Sequence, residues 1–238
     1  LGITITMMDL AILNPWWNGK EHIREDKHIK ELEEKEYKWQ PELLNQLKLL
    51  PNNVYSLRGP RQVGKTTLIK LVIRGLLERK IDEKSIFFWN CDELIDFREL
   101  SSVIREYLEF AKINRIQEKY IFLDEISRIK NWQMIIKSLS DSGELEDGCL
   151  VITGSNTLDI KYGFERLPGR TGKFGNDSFL LPLNFSEYIS LLKPEIASKI
   201  KKVKNISVKE INEKIEGARI FDSELKILFN QYLITGGF

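Results

Sequence analysis

A chain of 238 residues, 42% of them hydrophobic and 30% charged, can bury one sizeable core, which excludes a disordered or fibrous protein. The net charge of +1 points neither toward nor away from a nucleic-acid partner, and two cysteines exclude a disulfide framework. No segment is apolar enough to cross a membrane and the N-terminus lacks a secretory signal pattern, so the sequence predicts a cytoplasmic protein without a membrane partner.

Residues 1–50 are expected to form an N-terminal approach segment to the core. The segment contains Asn14-Pro15-Trp16-Trp17, and two adjacent tryptophans are costly to expose, so we expect them to anchor it by packing. The charge-rich run from Lys20 to Lys38 is predicted to be helical with a solvated face.

A phosphate-binding loop of the form G-x-x-x-x-G-K-[ST] follows a predicted strand and precedes a predicted helix. Glycines let successive backbone N–H groups turn toward phosphate oxygens, and the positive end of the following helix adds to the attraction. Lys65 is the expected ligand of the β- and γ-phosphates, and the Thr66 hydroxyl is the expected ligand of Mg²⁺. The predicted nucleotide-binding residues are Gly59, Pro60, Arg61, Gln62, Val63, Gly64, Lys65, Thr66 and Thr67.

A second pattern begins about sixty residues further on, where the apolar run Tyr120–Leu123 predicts a buried strand. Two carboxylates, Asp124 and Glu125, stand at its carboxyl end, where ligands bind in open parallel sheets. Asp124 is expected to hold Mg²⁺, directly or through water. Glu125 is expected to orient and deprotonate the attacking water.

Strands and helices alternate over residues 54–183, which predicts a parallel sheet with right-handed crossovers. Strands are predicted at Val54–Leu57, Ile86–Asn90, Tyr120–Asp124, Leu150–Thr153 and Ser178–Leu183. Helices are predicted at Lys65–Lys80, Leu94–Ile113 and Trp132–Ser140.

Small polar residues and two arginines follow the fourth predicted strand. Ser155 and Asn156 come directly after it, and Arg166 and Arg170 lie in the next loop. An arginine near the γ-phosphate neutralises charge that builds in the transition state, and Arg170 is the first candidate, with Arg166 the second.

Residues 184–238 lack strand alternation and are predicted to form a small helical subdomain. Ser186 is the expected cap of its first helix, and the spacing of apolar residues in 225–233 predicts one packed helix face. The basic run 199–204 is explained by a solvated surface more simply than by a nucleic-acid contact.

These motifs, in this order, resemble the archaeal-type AAA+ ATPases, which are common in archaea and bacteria. The resemblance covers nearly the whole chain and rests on the stretches Asn14–Trp17, Leu57–Thr67, Phe122–Ile126, Ile152–Asn156, Leu167–Arg170, Leu181–Tyr188 and Gly236–Phe238. The phosphate-binding loop (Walker A) and the Asp-Glu strand (Walker B) are specific for ATP hydrolysis. The Trp-Trp and Pro-Leu-Asn-Phe-Ser-Glu stretches are specific for the family.

The resemblance implies a P-loop fold with strand order 5-1-4-3-2 and a C-terminal helical lid. It also implies that Ser155 or Asn156 is a polar sensor of the γ-phosphate or the water, and that Trp16 or Trp17 passes near the adenine. Relatives usually continue into a further C-terminal domain, so a truncated chain is expected. The expected domains are 1–50, the approach segment, 51–183, the ATPase core, and 184–238, the lid.

The sequence thus predicts an enzyme that binds ATP and Mg²⁺ and hydrolyses the ATP, as a switch or motor for an unknown protein or nucleic-acid client. A homo-oligomer is a possible assembly. Three alternatives stay open: a P-loop small-molecule kinase, a nucleotide-gated scaffold with little turnover, and a GTPase. The GTPase is disfavoured because the sequence has no guanine-reading Asn/Thr-Lys-x-Asp.

Overall fold

A computed structural model of the protein describes residues 7–165, 167, 176–200 and 207–235. The contacts divide the chain into two compact units. The first unit contains the residues up to 34 and residues 42–180. The second contains residues 35–41 and the residues from 181 onward. The domain boundaries expected from the sequence stay a prediction.

In the first unit, five strands within the described residues form one parallel sheet. They are β1 Asn53–Arg58, β2 Ile86–Asn90, β3 Lys119–Asp124, β4 Gly148–Gly154 and β5 Asp177–Phe179. The sheet order β2-β3-β4-β1-β5 is the predicted 5-1-4-3-2 read from the other edge, so the predicted P-loop fold is confirmed. The fifth strand is shorter than the predicted Ser178–Leu183, because its pairing with β1 ends at Phe179.

Helices flank this sheet. Those of the first unit are α1 Met7–Leu13, α2 Lys27–Glu34, α3 Leu43–Gln46, α4 Lys65–Glu78, α5 Phe97–Ile113, α6 Trp132–Asp141 and α7 Thr157–Glu165. Short 3₁₀ helices cover Pro15–Asn18, Lys20–Glu25, Glu83–Ser85, Cys91–Glu93 and Ile126–Arg128.

Two helix starts differ from the prediction because an aspartate caps each one. α5 begins at Phe97 rather than Leu94, since the Asp96 carboxylate accepts from the backbone N–H groups of Arg98 and Glu99. The run from Lys20 to Lys38 is not one helix, because Asp26 has extended backbone and accepts from the His28 N–H at 2.9 Å.

The sheet is covered on both faces, as expected of parallel strands. Every residue of β4 is buried, and so are the last five residues of β3. Both cysteines, Cys91 and Cys149, are buried free thiols, and burial raises the pKa of each. This buried centre fixes the strand ends that carry the candidate site.

The free edge of β2 is closed by side chains from the N-terminal segment. The Asn14 amide accepts from the Phe88 N–H at 2.6 Å and donates to the Phe88 carbonyl at 3.0 Å, as a neighbouring strand would. Trp16 and Trp17 both donate from Nε1 to the Ile86 carbonyl, at 3.0 and 2.9 Å. The tryptophans therefore anchor the segment as the packing argument predicted. Their exposures of 0% and 8% disagree with a contact to adenine.

All the regular structure in the described residues of the second unit is helical. Its helices are α8 Phe185–Leu192, α9 Pro194–Ala197, α10 Val208–Ala218 and α11 Asp222–Thr235, with a 3₁₀ helix at Arg219–Phe221. Ile189, Ile196 and Leu228 form its small core. The predicted cap Ser186 is wrong. Asn184 caps α8 instead, in a capping box in which Asn184 and Glu187 bond each other's backbone N–H groups.

Candidate nucleotide-binding site

The loop between β1 and α4 has the backbone that a phosphate-binding loop needs. Gly64, at φ 93°, has the left-handed conformation that glycine adopts without strain, and α4 begins at the next residue. Gly59 is needed for space, because a Cβ there would lie 2.5 Å from the Leu180 carbonyl oxygen. The side chain of Val63 is buried, whereas those of Arg61 and Gln62 are exposed.

Lys65, the first residue of α4, is 4% exposed and lies across the loop. Its Nζ donates to the carbonyl oxygens of Gly59 and Pro60, at 3.2 and 3.0 Å. It also lies 3.2 Å from Glu125 Oε1. The ammonium and the carboxylate that were expected to act on the γ-phosphate and on water are therefore bound to each other in this structure.

Asp124 is 1% exposed and accepts from two threonines. The Thr66 hydroxyl donates to Oδ2 at 2.6 Å, and the Thr153 hydroxyl donates to Oδ1. Burial raises the pKa of Asp124, while the bonds from Thr153 and Thr66 oppose that shift. Thr66 and Asp124, predicted from stretches nearly sixty residues apart, are thus brought into direct contact.

Glu125 follows β3 with φ 52°, an unusual left-handed conformation for a residue with a side chain. Its backbone N–H donates to Thr153 Oγ1 at 3.0 Å. Its Oε2 accepts from the Ser155 N–H at 2.9 Å, and its Oε1 is paired with Lys65. The Ser155 N–H after β4 and the Lys65 ammonium of α4 therefore each hold one oxygen of this carboxylate.

An open cleft of about 610 Å³ lies over these groups. Its lining combines the phosphate loop, the carboxyl ends of β2, β3 and β4, and one residue from α2. The lining residues are His28, Arg61, Gln62, Thr66, Asn90, Asp92, Asp124, Glu125, Arg128 and Ser155. At its rim, Arg128 Nε lies 3.2 Å from Asp92 Oδ1.

The candidate sensors and arginines have different places. Ser155 lines the cleft. The side chain of Asn156 accepts from the Asp159 N–H at 3.2 Å, near the start of α7. Arg166 and Arg170 lie outside the described residues. The roles proposed for all four stay predictions.

Sequence reasoning missed five residues that the fold brings to the site: Thr153, which bonds Asp124, and His28, Asn90, Asp92 and Arg128, which line the cleft. For Thr153 a signal existed, because the predicted strand Leu150–Thr153 ends beside the Asp-Glu strand in the predicted order, where a hydroxyl meets the carboxylates. For Arg128 and His28 no motif marks the position. Their presence in the cleft depends on the turn after Glu125 and on the path of the N-terminal segment.

Thr153→Val is expected to destabilise the fold by about 1–3 kcal/mol, because Asp124 Oδ1 and the Glu125 N–H both lose their hydroxyl partner while shape is kept. Urea unfolding measures the effect, and Thr153→Ser, which keeps the hydroxyl, is the matched control. Equal stability of the valine variant and the wild type would contradict this reading of the contact.

Comparison with known proteins gives a family. A family model described as an AAA domain matches residues 51–189, more than half of the chain. No curated protein matches. Among the described residues, no helix has both the length and the apolar character to span a membrane.

Solved structures also match, at low identity. Cdc6p from Pyrobaculum aerophilum is 17% identical, with a TM-score of 0.43, over 58% of this chain and 41% of that one. The ORC1 protein of Aeropyrum pernix, solved in complex with DNA, is 14% identical, with a TM-score of 0.46, over 77% and 53%. C. elegans PCH-2 is 15% identical, with a TM-score of 0.41, over 66% and 44%.

The chain therefore spans roughly half of the length of these solved structures, with matches covering 41%, 53% and 44% of them. Because the TM-scores of these matches are below 0.5, the family assignment rests on the family model and on the strand order. On those two findings the chain belongs to the AAA domain family, as its resemblance to the archaeal-type AAA+ ATPases predicted, and has the nucleotide-binding P-loop core of that family.

Proposed function

We propose that this protein hydrolyses ATP to ADP and phosphate with Mg²⁺ as cofactor. The observation that carries the proposal is the single cluster formed by Lys65, Thr66, Asp124 and Glu125 at the carboxyl edge of the sheet. Two motifs that sequence alone could only list separately share one cleft, which is the arrangement that hydrolysis requires.

The residues present fit both ligands. A triphosphate needs loop N–H groups and an ammonium, which the loop from Gly59 to Gly64 and Lys65 supply. Mg²⁺ takes hard oxygen ligands, and the Thr66 hydroxyl and Asp124 carboxylate are such a pair, joined at 2.6 Å. When bound there, Mg²⁺ would be held by Thr66 and Asp124 and would neutralise the charge that develops on the phosphates.

Glu125 is the proposed base. When Lys65 turns to the phosphates, Oε1 is released and takes a proton from water, while the Ser155 N–H keeps hold of Oε2. The water oxygen then bonds to the γ-phosphorus, the bond from that phosphorus to the β–γ bridging oxygen breaks, and ADP leaves. Most of the acceleration comes from this positioning and from charge stabilisation.

The remaining assignments are proposals of the same kind. Ser155 or Asn156 senses the γ-phosphate or the water, and Arg170, with Arg166 second, neutralises its charge. Hydrolysis drives a switch or motor acting on a protein or nucleic-acid client, with residues 51–183 as the core and 184–238 as the lid. A homo-oligomer is the assembly to test, and the cytoplasm is the proposed location. DNA is the bound partner of the Aeropyrum ORC1 neighbour, which makes DNA one client to test.

One observation favours a second candidate, a nucleotide-gated scaffold with little turnover. In the structure, Lys65 and Glu125 neutralise each other at 3.2 Å, and a protein that never separates them would bind without hydrolysing. Such a protein would show tight ATP binding without phosphate release.

The test is phosphate release from ATP by the wild type and by Lys65→Ala, with DNA, RNA or peptide added in turn. We expect Lys65→Ala to lower turnover by about 10²–10³-fold, the effect of removing one donor to a transition-state oxygen. Lys137→Ala, an exposed lysine of α6, is the matched control and should leave turnover unchanged. Equal turnover in Lys65→Ala would remove this site from the reaction, and stimulation by one additive would identify the client class.

A further inference from the structure

A buried ammonium lies on the phosphate-loop helix outside the catalytic cluster. Lys70 of α4 is 3% exposed, with its Nζ 3.1 Å from Asp26 Oδ2 and 3.3 Å from the centroid of the Phe88 ring. The Trp16 ring is 5.0 Å away. Burial lowers the pKa of Lys70 while Asp26 opposes that shift. A buried charge is costly to keep, so the contact calls for an explanation.

Asp26 uses its two oxygens for two different elements. Oδ2 pairs with Lys70 of α4, and Oδ1 accepts from the N–H groups of His28 and Ile29 at 2.9 and 3.4 Å, which caps α2. The ion pair therefore fixes the first turn of α2 to the helix that begins with Lys65 and Thr66. Ile29 and Leu32, both buried, add apolar packing to the same attachment.

This attachment bears on the position of His28, which lies in the first turn of α2. It is half-buried and lines the cleft together with Arg61, Gln62 and Thr66. It comes from a segment more than thirty residues before the phosphate loop, and no phosphate-binding motif includes it. An imidazole N–H is a donor of the type that phosphate oxygens accept from, as are the side chains of Arg61 and Gln62.

We propose that His28 donates to a phosphate oxygen of bound ATP, and that Lys70 and Asp26 are positioning residues that hold it there. The inference rests on the proposed ATP site and adds a ligand from outside the phosphate loop. The N-terminal segment is then part of the binding site, as well as a cover for the edge of β2.

The test compares affinities for a fluorescent ATP analogue in titrations. His28→Ala is expected to raise Kd about tenfold, the loss of one charge-assisted bond. The double variant Asp26→Asn/Lys70→Met removes both charges of the ion pair at similar volume and should raise Kd by a similar factor. The triple variant with His28→Ala should be no weaker than the double variant, because the pair acts through His28. His28→Gln, which keeps a donor, should recover part of the affinity.

Lys30→Ala, an exposed residue of α2, is the matched control and should bind as the wild type does. If His28→Ala binds the analogue as tightly as the wild type, the inference about His28 is wrong and the proposed ATP site still stands. If the wild type does not bind the analogue, the proposed ATP site itself is wrong. Additive losses in the triple variant overturn the positioning role. Circular dichroism checks folding, and if the double variant unfolds, the three single His28 and Lys30 variants decide.

Discussion

Glu125→Gln is expected to slow ATP turnover by about 10²–10⁴-fold, the usual contribution of a positioned general base. Glutamine keeps the shape of the side chain and still accepts from the Ser155 N–H, which holds Oε2 at 2.9 Å in the wild type. It cannot take a proton from water. Phosphate release measured at saturating ATP reports the loss.

The same substitution is expected to tighten ATP binding, which a purely structural defect would not do. In the wild type, ATP must separate Lys65 from Glu125 Oε1, a pair at 3.2 Å with the ammonium 4% exposed. A neutral glutamine removes that attraction and leaves Lys65 free for phosphate. A titration with a fluorescent ATP analogue measures the gain in affinity.

Glu109→Gln is the matched control, because Glu109 is an exposed carboxylate of α5. It should change neither turnover nor affinity. If Glu125→Gln hydrolyses ATP as fast as the wild type, Glu125 is not the general base. Lost affinity for ATP would instead show that the Lys65–Glu125 contact supports the loop rather than restrains it.

The strands of the sheet, the phosphate-binding loop and the acidic pair could be predicted from local sequence. The apolar run before Asp124 and Glu125 predicts a buried strand with its ligands at the carboxyl end, and the glycine loop predicts where β1 stops and α4 starts. The order of the strands came from the family resemblance. It explains why Thr66 and Asp124 meet.

What the sequence did not predict depends on contacts between distant segments. His28 lies in the cleft two residues after Asp26, which interrupts the helical run and pairs with Lys70, a residue of another helix. Hydrophobic periodicity does not mark such a break, because a solvated helix face also carries charged residues. Thr153 likewise donates to Asp124 because β4 pairs with β3 in a register that brings the ends of the two strands together.

The bounds of the fifth strand also depend on contacts between distant segments. Alternation suggested Ser178–Leu183, but only Asp177–Phe179 pairs with β1. There the Arg58 guanidinium bonds both oxygens of Asp177, from Nε at 2.7 Å and from Nη2 at 2.5 Å. Such an ion pair forms only when the two strands are in this register, and its partners lie more than a hundred residues apart.

Trp16→Ala is expected to lower the free energy of unfolding by about 3–5 kcal/mol, a large share of the total stability of a domain. The side chain is fully buried, and its removal leaves a cavity beside Lys70 and takes one donor from the Ile86 carbonyl. Urea unfolding measures the change. A loss below about 1 kcal/mol, the scale of a single hydrogen bond, would contradict an anchoring role.

Phenylalanine variants separate the cavity from the hydrogen bond. Trp16→Phe and Trp17→Phe each leave the Ile86 carbonyl one indole donor, because both Nε1 atoms bond the same oxygen at 3.0 and 2.9 Å. Each single variant should therefore cost little beyond its lost volume. The double variant leaves that carbonyl without a hydrogen-bond donor at the edge of β2. Its loss in free energy of unfolding should therefore exceed the sum of the losses of the two single variants by about 1–3 kcal/mol. Strict additivity would mean that water replaces the indoles and that the edge does not need the tryptophans as its cover.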